Sequence, residues 1–489
     1  MNTSIIRYIL GQVLRFESIF LLIPCLTALI YRESSGFAYA GVALLCLFLG
    51  LFLTRQKPKT HTFYLKEGCV ITSLSWVTFS FFGALPFYFS KEIPSFTDAL
   101  FETVSGFTTT GASIVSDVEA LSHCALIWRS FTHWIGGMGV LVFLLAIIPL
   151  SGGSNINLMR AESPGPSVGK LVPKMKLTAR LLYGIYIVMT IIMIILLLLG
   201  GMPLFESLCT AFGTAGTGGF GFLNDSMASF SPYLQWVITI FMILFGVNFN
   251  AYFFILYKQF RKAFAMEEVR YYFFIILGAI IIVCIDILDM FSNVFEALTH
   301  AAFQVGSIIT TTGYSTADFD LWPETSRLIL VLLMFVGACA GSTGGGMKIS
   351  RFVILFKNVG KEFHSYIHPR SVKQVQLDEK PVENEVLRSI NVYCFAYVIV
   401  FCSSLLLISL EGYDFTTNFT AVAATINNIG PGLGLVGPSA NFGFLSNFSK
   451  WILTFDMLAG RLELFPLLLL FHPKMWLDVL QNKRGKGVS

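Results

Sequence analysis

Long apolar stretches dominate this chain and restrict what it can fold into. Residues 181–199 contain no charged side chain and are long enough to cross a bilayer as a helix. With 55% hydrophobic residues, 13% charged residues and a mean hydropathy of +0.72, the chain cannot hide this surface as a soluble domain does. We therefore predict an all-α integral membrane protein with ten spans, at residues 9–31, 37–54, 69–89, 125–150, 181–199, 234–257, 271–290, 328–355, 392–410 and 451–471.

Four glycine-containing segments lie between these spans at roughly equal spacing. Their central residues are Thr109-Thr110-Gly111, Thr217-Gly218, Thr311-Thr312-Gly313 and Asn428-Ile429-Gly430. The spacing also pairs each glycine with a residue six positions earlier, namely Ser105, Phe212, Ser307 and Ala424. A single Thr-Thr-Gly is a common loop tripeptide, but four copies between apolar segments indicate a repeat.

The repeats divide the chain into a leading two-helix hairpin and four helix–pore loop–helix units. We predict the hairpin at 1–65 and the repeats at 66–155, 156–264, 265–376 and 377–489, the last with a cytoplasmic tail. A short apolar run precedes each glycine segment, too short to span but long enough for a re-entrant helix. The predicted architecture is a pseudo-four-fold arrangement of these repeats around a central pore.

The glycine segments suggest a cation site. Glycine lets the backbone turn carbonyl oxygens inward, and a ring of carbonyls can replace the water shell of a dehydrated cation. A helix that ends near mid-membrane directs its negative dipole end at the same ion.

Charge predicts the orientation of the chain. We place 27 of the 33 Lys and Arg residues on one side, which is the cytoplasm by the positive-inside rule. Acidic residues including Asp117 and Asp225 lie on the opposite face and would attract cations. The basic side leaves open a docking surface for a cytosolic partner. The net charge of +4 is small, and we do not expect nucleic acid as a partner.

Glycine interrupts the span at 328–355. Non-helical backbone is tolerated at membrane depth only where it is buried in protein or lines a cavity. We predict a flexible gate beneath the glycine segments, or alternatively a loose helix packed through small residues. The predicted gate residues are Gly337, Gly341, Ser342, Thr343, Gly344, Gly345, Gly346 and Lys348. A phosphate-binding loop is a poor match, because Met347 separates Gly346 from Lys348.

Arg461 lies within the last span. Burying it costs about 2.5 to 3.5 kcal/mol on insertion scales. It either forms a structural ion pair, with Glu463 or another span, or projects into the pore as a barrier to cations. Earlier in the chain, the glycines of His133-Trp134-Ile135-Gly136-Gly137 are predicted to pack closely against a pore loop.

These motifs together resemble the TrkH/KtrB superfamily of potassium transporters, and the leading hairpin is more similar to the TrkH branch. The resemblance covers nearly the whole chain. It implies potassium uptake across the bacterial cytoplasmic (inner) membrane by a multi-pass homodimer with one pore per protomer. It also implies a cytosolic regulatory ring of the TrkA type, so that nucleotide acts only through that partner.

The resemblance also assigns residues. Filter glycines carry over to Gly111, Gly218, Gly313 and Gly430, and K⁺ is expected at Thr110, Thr217, Thr312 and Ile429. The gating loop carries over to residues 337–348, and the barrier arginine to Arg461. Family members with serine at the first filter glycine tend to favour sodium, and this chain keeps Gly111.

Two other classes of function remain as alternatives. A proton- or sodium-coupled secondary transporter would use carboxylates near mid-membrane, for which Asp286 and Asp456 are the candidates. An intramembrane enzyme would need an assembled nucleophile and base, which the sequence does not offer. We therefore expect that the protein is not an enzyme.

Overall fold

The structure is a computed structural model that describes residues 1–58, 64–139, 175–371 and 373–476. Within these residues the chain is mostly helical. In chain order, helices α1 to α19 are Thr3–Phe20, Leu22–Tyr31, Gly36–Thr54, Leu65–Ser90, Phe96–Phe107, His123–Met138, Met175–Leu199, Leu204–Gly216, Pro232–Phe245, Phe249–Leu256, Phe260–Ala265, Glu267–Asp286, Val294–Ile309, Glu324–Val336, Ile349–Ile367, Asn384–Ser409, Phe415–Ile426, Asn447–Arg461 and Phe465–Leu470. Short 3₁₀ turns lie at Leu288–Met290, Phe319–Leu321 and Gly434–Val436.

Six helical segments of the described chain are long and apolar enough to cross a membrane. They are Thr3–Tyr31, Gly36–Thr54, Leu65–Ser90, Ala179–Leu199, Glu267–Asp286 and Asn384–Ser409. Their outer surfaces expose large apolar side chains, such as Phe274 at 75% and Phe395 at 70%. Lipid is the solvent that such surfaces require, and the protein is therefore a multi-pass membrane protein.

In repeats 2, 3 and 4 the second predicted span is not a continuous helix. Residues 234–257 break into α9 and α10, which are bent by 92°. Residues 328–355 break between α14 and α15, as the glycines there predicted, and residues 451–471 break between α18 and α19. The span predicted at 125–150 is helical to Met138, and its remainder, like the repeat boundary at 155/156 and the tail beyond 476, lies outside the described residues.

The leading hairpin packs through glycine. Helices α1 and α3 run side by side, and a Cβ built on Gly50 would lie only 2.8 Å from the carbonyl oxygen of Gly11. Small residues at a crossing let two backbones approach closely, which increases their van der Waals contact. Helix α1 also contacts α4, so the hairpin lies against the first repeat.

Four short helices confirm the predicted runs before the glycine segments. They are α5, α8, α13 and α17, and they contain 12, 13, 16 and 12 residues. At 1.5 Å per residue they are about 18 to 24 Å long and cannot cross a bilayer. Side chains of Ser95, Asn293 and Asp414 cap three of them at the N-terminus.

A small antiparallel hairpin precedes α16. Its strands are β1, Gln376–Leu377, and β2, Lys380–Pro381, and Gln376 pairs with Pro381. The carboxylate of Asp378 at its turn accepts a hydrogen bond of 2.7 Å from the backbone N–H of Glu267, which begins α12.

Candidate functional site

The four short helices end in the same backbone turn, in loops 1 to 4 (residues 108–111, 216–219, 310–313 and 427–430). One residue of each loop is left-handed, with φ of 56°, 54°, 59° and 56° at Thr109, Thr217, Thr311 and Asn428. Two residues later, Gly111, Gly219, Gly313 and Gly430 have φ of 80°, 80°, 87° and 98°. Between them, the N–H of Thr110, Gly218, Thr312 and Ile429 donates to a carbonyl five residues back, each at 2.8 Å. This is the Schellman pattern of a helix C-terminus.

The turn corrects the predicted alignment of loop 2. Spacing matched Gly218 to Gly111 and Phe212 to Ser105, whereas the backbone matches Gly219 to Gly111, and Gly213 to Ser105 as hydrogen-bond acceptor. Two adjacent glycines make both alignments equally acceptable in the sequence. The carbonyl equivalent to that of Thr110 is therefore Gly218, and not the predicted Thr217.

Three of the left-handed residues are threonines. A β-branched side chain strongly disfavours positive φ, so Thr109, Thr217 and Thr311 hold strained backbone. Such strain costs on the order of 1 to 3 kcal/mol per residue and persists only where the surroundings enforce it. All three threonines are fully buried. Strain at three equivalent positions makes these loops the candidate functional site.

The loops contact one another in a closed order. A Cβ built on Gly111 would collide with the carbonyl oxygen of Gly218, one on Gly219 with that of Thr312, and one on Gly313 with that of Ile429. The cycle closes at Gly430, where a Cβ would lie 2.8 Å from the carbonyl oxygen of Thr110. Glycine is thus required at each contact, because the neighbouring carbonyl occupies the space of a side chain.

A recess of about 130 Å³ opens on the glycine side of the four loops, and all four glycines line it. Arg129 of α6 also lines the recess, yet it is only 2% exposed. Its Nε donates to Glu102 Oε1 at 2.8 Å, so the two charges form a buried pair. Sequence analysis missed this pair. The only sign of it in the sequence is that Glu102 and Arg129 are charged residues within two largely apolar segments.

The glycine-rich segment (residues 337–348) lies against the other end of the loops. The N–H of Gly345 donates to Thr311 Oγ1 at 2.6 Å, and the N–H of Gly346 donates to the carbonyl of Asn427 at 3.0 Å. A Cβ on Gly344 would lie 2.8 Å from the carbonyl oxygen of Thr310. The segment therefore fits beneath loops 3 and 4, and glycine allows the fit.

Three further sets of contacts hold the glycine-rich segment in place. The break between α9 and α10 contributes two bonds, Cys339 N–H to the Gly246 carbonyl at 3.1 Å and Phe249 N–H to the Gly341 carbonyl at 3.1 Å. Within the segment, Lys348 Nζ donates to the Gly344 carbonyl.

Glu268 of α12 is the third anchor. It is buried, and its carboxylate accepts from the N–H of Ala340 at 2.5 Å and of Ser350 at 3.3 Å. It thereby ties the first part of the segment to the first turn of α15, which follows the segment. Sequence analysis missed Glu268, because an acidic residue in the first turn of a helix looks like an ordinary capping group.

Arg461 joins the glycine-rich segment to α6. Its Nη1 donates to the Thr343 carbonyl at 2.9 Å, and its Nη2 donates to the carbonyls of Gly136 and Gly137 at 2.5 and 2.7 Å. Glu463 pairs instead with Arg351, so the pairing of Arg461 with Glu463 was wrong.

The glycines after His133 pack as predicted. A Cβ on Gly136 would collide with the carbonyl oxygen of Phe107 at the end of α5. Gly460 of α18 has the same relation to the carbonyl oxygen of Ile426 at the end of α17. The second helices of repeats 1 and 4 therefore rest on their loops through equivalent glycines.

The two candidate coupling carboxylates occupy different settings. Asp286 lies at the end of α12 and accepts from the N–H and hydroxyl of Ser326 at 3.0 and 2.6 Å, which caps α14. Asp456 is fully buried between α16 and α18 and accepts from Ser404 Oγ at 2.7 Å. Its other oxygen, Oδ2, has no hydrogen-bond partner among the described residues.

Several helices long and apolar enough to cross a membrane, together with four buried loops in mutual contact, define a multi-pass membrane protein. The chain belongs to the TrkH family: the family model described as "Cation transport protein" matches residues 34–479. The resemblance inferred from the motifs is thus confirmed.

Individual relatives support the same family assignment. The chain is 36% identical to the Trk system potassium uptake protein TrkH of Salmonella typhimurium, over 97% of this chain and 100% of that protein. It is 32% identical to the Trk system potassium uptake protein TrkI of Halomonas elongata, over 94% of each. The crystal structure of the potassium transporter TrkH from Vibrio parahaemolyticus matches with a TM-score of 0.88 and 32% identity, covering 97% of this chain and 100% of that one.

Proposed function

We propose that this protein takes up potassium ions through a channel-like pore whose filter is the ring of loops 1 to 4. The closed contact order of the four loops is the observation that carries the proposal. The names of the relatives, potassium uptake proteins and a potassium transporter, support the choice of ion. In this proposal the four repeats surround the pore with pseudo-four-fold symmetry.

The filter works by replacing water. Each loop supplies backbone carbonyls near the axis, and the K⁺-binding set is that of Thr110, Gly218, Thr312 and Ile429, with Gly218 in place of Thr217. Carbonyl dipoles compensate a K⁺ ion for its lost hydration shell. The four short helices direct their negative C-terminal ends at the same point. Selectivity then depends on holding the carbonyls at positions that suit K⁺ better than Na⁺.

The glycine-rich segment acts as the gate. It lies directly beneath loops 3 and 4 and is fixed by hydrogen bonds that can be exchanged, so a shift of the segment would open the path. Arg461 adds a fixed positive charge at the same level, which opposes a cation leaving the filter.

We also propose the assembly and location that the resemblance implies. The protein acts as a homodimer in the bacterial cytoplasmic membrane, with α15 and the β-hairpin facing the cytosol. A cytosolic nucleotide-binding ring of the TrkA type then moves the gate. The names of the relatives, which place them in a Trk system, support a further component.

One observation favours a second candidate function. Asp456 is a fully buried carboxylate behind loop 4 with one oxygen unpartnered among the described residues. Intramembrane carboxylates often relay protons. A proton-coupled carrier would use Asp456 and would lose coupling on Asp456→Asn.

Ion flux through purified protein in liposomes tests the proposal. We expect K⁺ and Rb⁺ to pass faster than Na⁺, and expect the K⁺ flux to follow the K⁺ gradient at any proton gradient. Uphill K⁺ movement driven by a pH gradient, abolished in Asp456→Asn, would establish the coupled carrier instead.

A further inference from the structure

Helix α6 holds loop 2 against the end of α5 through two side chains on one face. Arg129 and His133 are four residues apart, about one helical turn. Each contacts a residue that directly follows loop 2: Arg129 donates to the carbonyl of Gly221, and His133 accepts from the N–H of Phe220. Both also contact α5: Arg129 through Glu102, and His133 through Gly106.

His133 is fully buried, and both of its ring nitrogens are bonded. Nδ1 lies 2.8 Å from the carbonyl oxygen of Gly106, and Nε2 lies 3.2 Å from the backbone N of Phe220. A carbonyl only accepts and an N–H only donates, so the partners assign a neutral imidazole with its proton on Nδ1. The ring also packs on Phe220, with 4.3 Å between ring centroids.

The imidazole occupies the space beside loop 2. A Cβ built on Gly218 would collide with the ring, and a Cβ built on Gly216 would collide with the backbone of His133. Loop 2 therefore has glycines at these two positions because α6 lies against them. The Gly218 carbonyl, one of the four in the proposed K⁺-binding set, belongs to the residue that the imidazole touches.

Loops 1 and 3 carry an internal brace that loop 2 lacks. In loop 1 the hydroxyls of Thr108 and Thr110 bond to each other at 2.8 Å, and in loop 3 Thr310 and Thr312 do the same. The equivalent residues of loop 2 are Gly216 and Gly218, which have no side chains.

Loop 4 is held by a different contact, the side chain of Asn428. Asn428 Nδ2 donates to Thr110 Oγ1 at 2.9 Å and to the carbonyl of Met457 at 2.9 Å. When α6 and α18 are aligned on Gly136 and Gly460, Met457 takes the place of His133. The imidazole brace of loop 2 thus has no counterpart at loop 4.

We propose that His133 is a positioning residue for ion selectivity, replacing in loop 2 the threonine hydroxyl brace of loops 1 and 3. It holds the two-glycine turn by its bonds to Gly106 and Phe220 and by its contact with Gly218. This inference rests on the proposed potassium filter. Without the ring, the unbraced turn varies in conformation, the Gly218 carbonyl moves off its position, and Na⁺ is excluded less strictly.

The test compares K⁺ and Na⁺ flux in liposomes for wild type, His133→Phe and His133→Gln, with melting temperature measured on each. His133→Phe keeps a ring but loses both hydrogen bonds, and we expect its K⁺/Na⁺ flux ratio to fall about tenfold, as the loss of two ordinary hydrogen bonds implies. His133→Gln retains a donor and an acceptor, so we expect a ratio closer to wild type.

His300→Phe is the matched control. His300 is on α13, and its Nδ1 bonds to Thr316 Oγ1 at 2.8 Å, beyond loop 3. We expect its ratio to equal that of wild type. A wild-type ratio in His133→Phe would overturn the positioning role, as would an equal loss in His300→Phe.

A second variant covers the case in which His133→Phe does not fold. Gly218→Ala keeps the imidazole but puts a methyl group into the space that the ring occupies, so the ring or the loop must move, and we expect the same loss of selectivity. An unchanged ratio in Gly218→Ala would overturn the proposal in that case. Wild type that conducts K⁺ and Na⁺ equally would instead contradict the proposed function itself, so the two failures are separable.

Discussion

Arg461 donates a hydrogen bond of 2.9 Å to the carbonyl oxygen of Thr343, and so links α18 of repeat 4 to the glycine-rich segment. The same guanidinium reaches the carbonyls of Gly136 and Gly137 at the end of α6. One side chain of repeat 4 thus contacts both repeat 1 and repeat 3 beneath the loops. In the proposed mechanism Arg461 therefore acts both as a positive barrier and as a latch that holds the segment closed.

Arg461→Gln should raise basal cation flux. Glutamine cannot reach three carbonyls or supply the charge, so both the latch and the barrier weaken. We expect a several-fold rise in K⁺ flux in liposomes, with a loss of stability of about 1.5 to 3 kcal/mol for each charged hydrogen bond that is not replaced.

Arg351→Gln is the matched control, because Arg351 also contacts the glycine-rich segment, through the carbonyl of Met347 at 3.0 Å, but pairs with Glu463 instead of linking the segment to α6. Breaking that largely buried pair strands a carboxylate and should cost about 3 to 5 kcal/mol. We expect lower stability without raised flux per folded protein. A rise of equal size in both variants would show that loosening alone, and not the arginine latch, increases flux.

Gly111→Ser and Gly313→Ser should each weaken the preference for K⁺ over Na⁺. A side chain at either position collides with a carbonyl oxygen of the next loop, Gly218 or Ile429. The ring must then widen or distort, and we expect the K⁺/Na⁺ flux ratio to fall by tenfold or more.

Gly412→Ser is the control that separates the effect of this collision from the effect of backbone strain at a positive φ. Gly412 has φ of 80°, like Gly111, but a Cβ there meets nothing within 4 Å. The substitution should cost about 1 to 2 kcal/mol of stability and leave the flux ratio unchanged. Retained K⁺ preference in both filter variants would argue against the carbonyl ring.

Glu268→Gln should open the gate partly. An amide has one acceptor oxygen, so it cannot accept from the N–H groups of Ala340 and Ser350 and also from Asn248 Nδ2 as the carboxylate does. We expect raised basal K⁺ flux with an unchanged K⁺/Na⁺ ratio, because the loops keep their own bonds. Glu267→Gln is the control, since Glu267 pairs with Lys357 and should leave flux near wild type.

We predict that the protein loses stability at acidic pH because of Glu33. It lies between α2 and α3 and accepts from the backbone N–H of His123 and Cys124 at 2.8 and 3.0 Å, which caps α6. Partial burial opposes ionisation of Glu33, but these hydrogen bonds outweigh it and hold its pKa below the usual 4.5.

A lowered folded-state pKa means that the stabilisation is present above about pH 4.5 and is lost as pH falls through the folded value. Melting temperature measured against pH should therefore drop below pH 4.5 in wild type. Glu33→Gln should melt lower at neutral pH and show a smaller drop. Parallel curves for the two proteins would contradict this assignment.

Much of the architecture follows from the sequence, for identifiable reasons. Long apolar runs such as residues 181–199 predict spans because lipid leaves the backbone few alternatives. The glycine run at 337–348 predicts its own break, since it cannot stay regularly helical. The loops were located by four recurrences of one pattern.

The parts that failed depend on geometry that spacing does not encode. In loop 2, Gly218 and Gly219 both tolerate positive φ, and only the folded backbone, in which Gly219 has the positive φ and lies against Thr312, distinguishes them. Glu463 lies two residues from Arg461 but has φ of 62° after the helix end, which places its side chain near Arg351. Glu268 touches the glycine-rich segment across more than seventy residues of chain.

Locating the ion tests the central claim most directly. Crystals of the protein grown with Rb⁺ or Tl⁺ in place of K⁺ would show the ion by anomalous scattering. We predict a peak enclosed by the carbonyl oxygens of Thr110, Gly218, Thr312 and Ile429. A peak at Asp456 with none within the four loops would contradict the account.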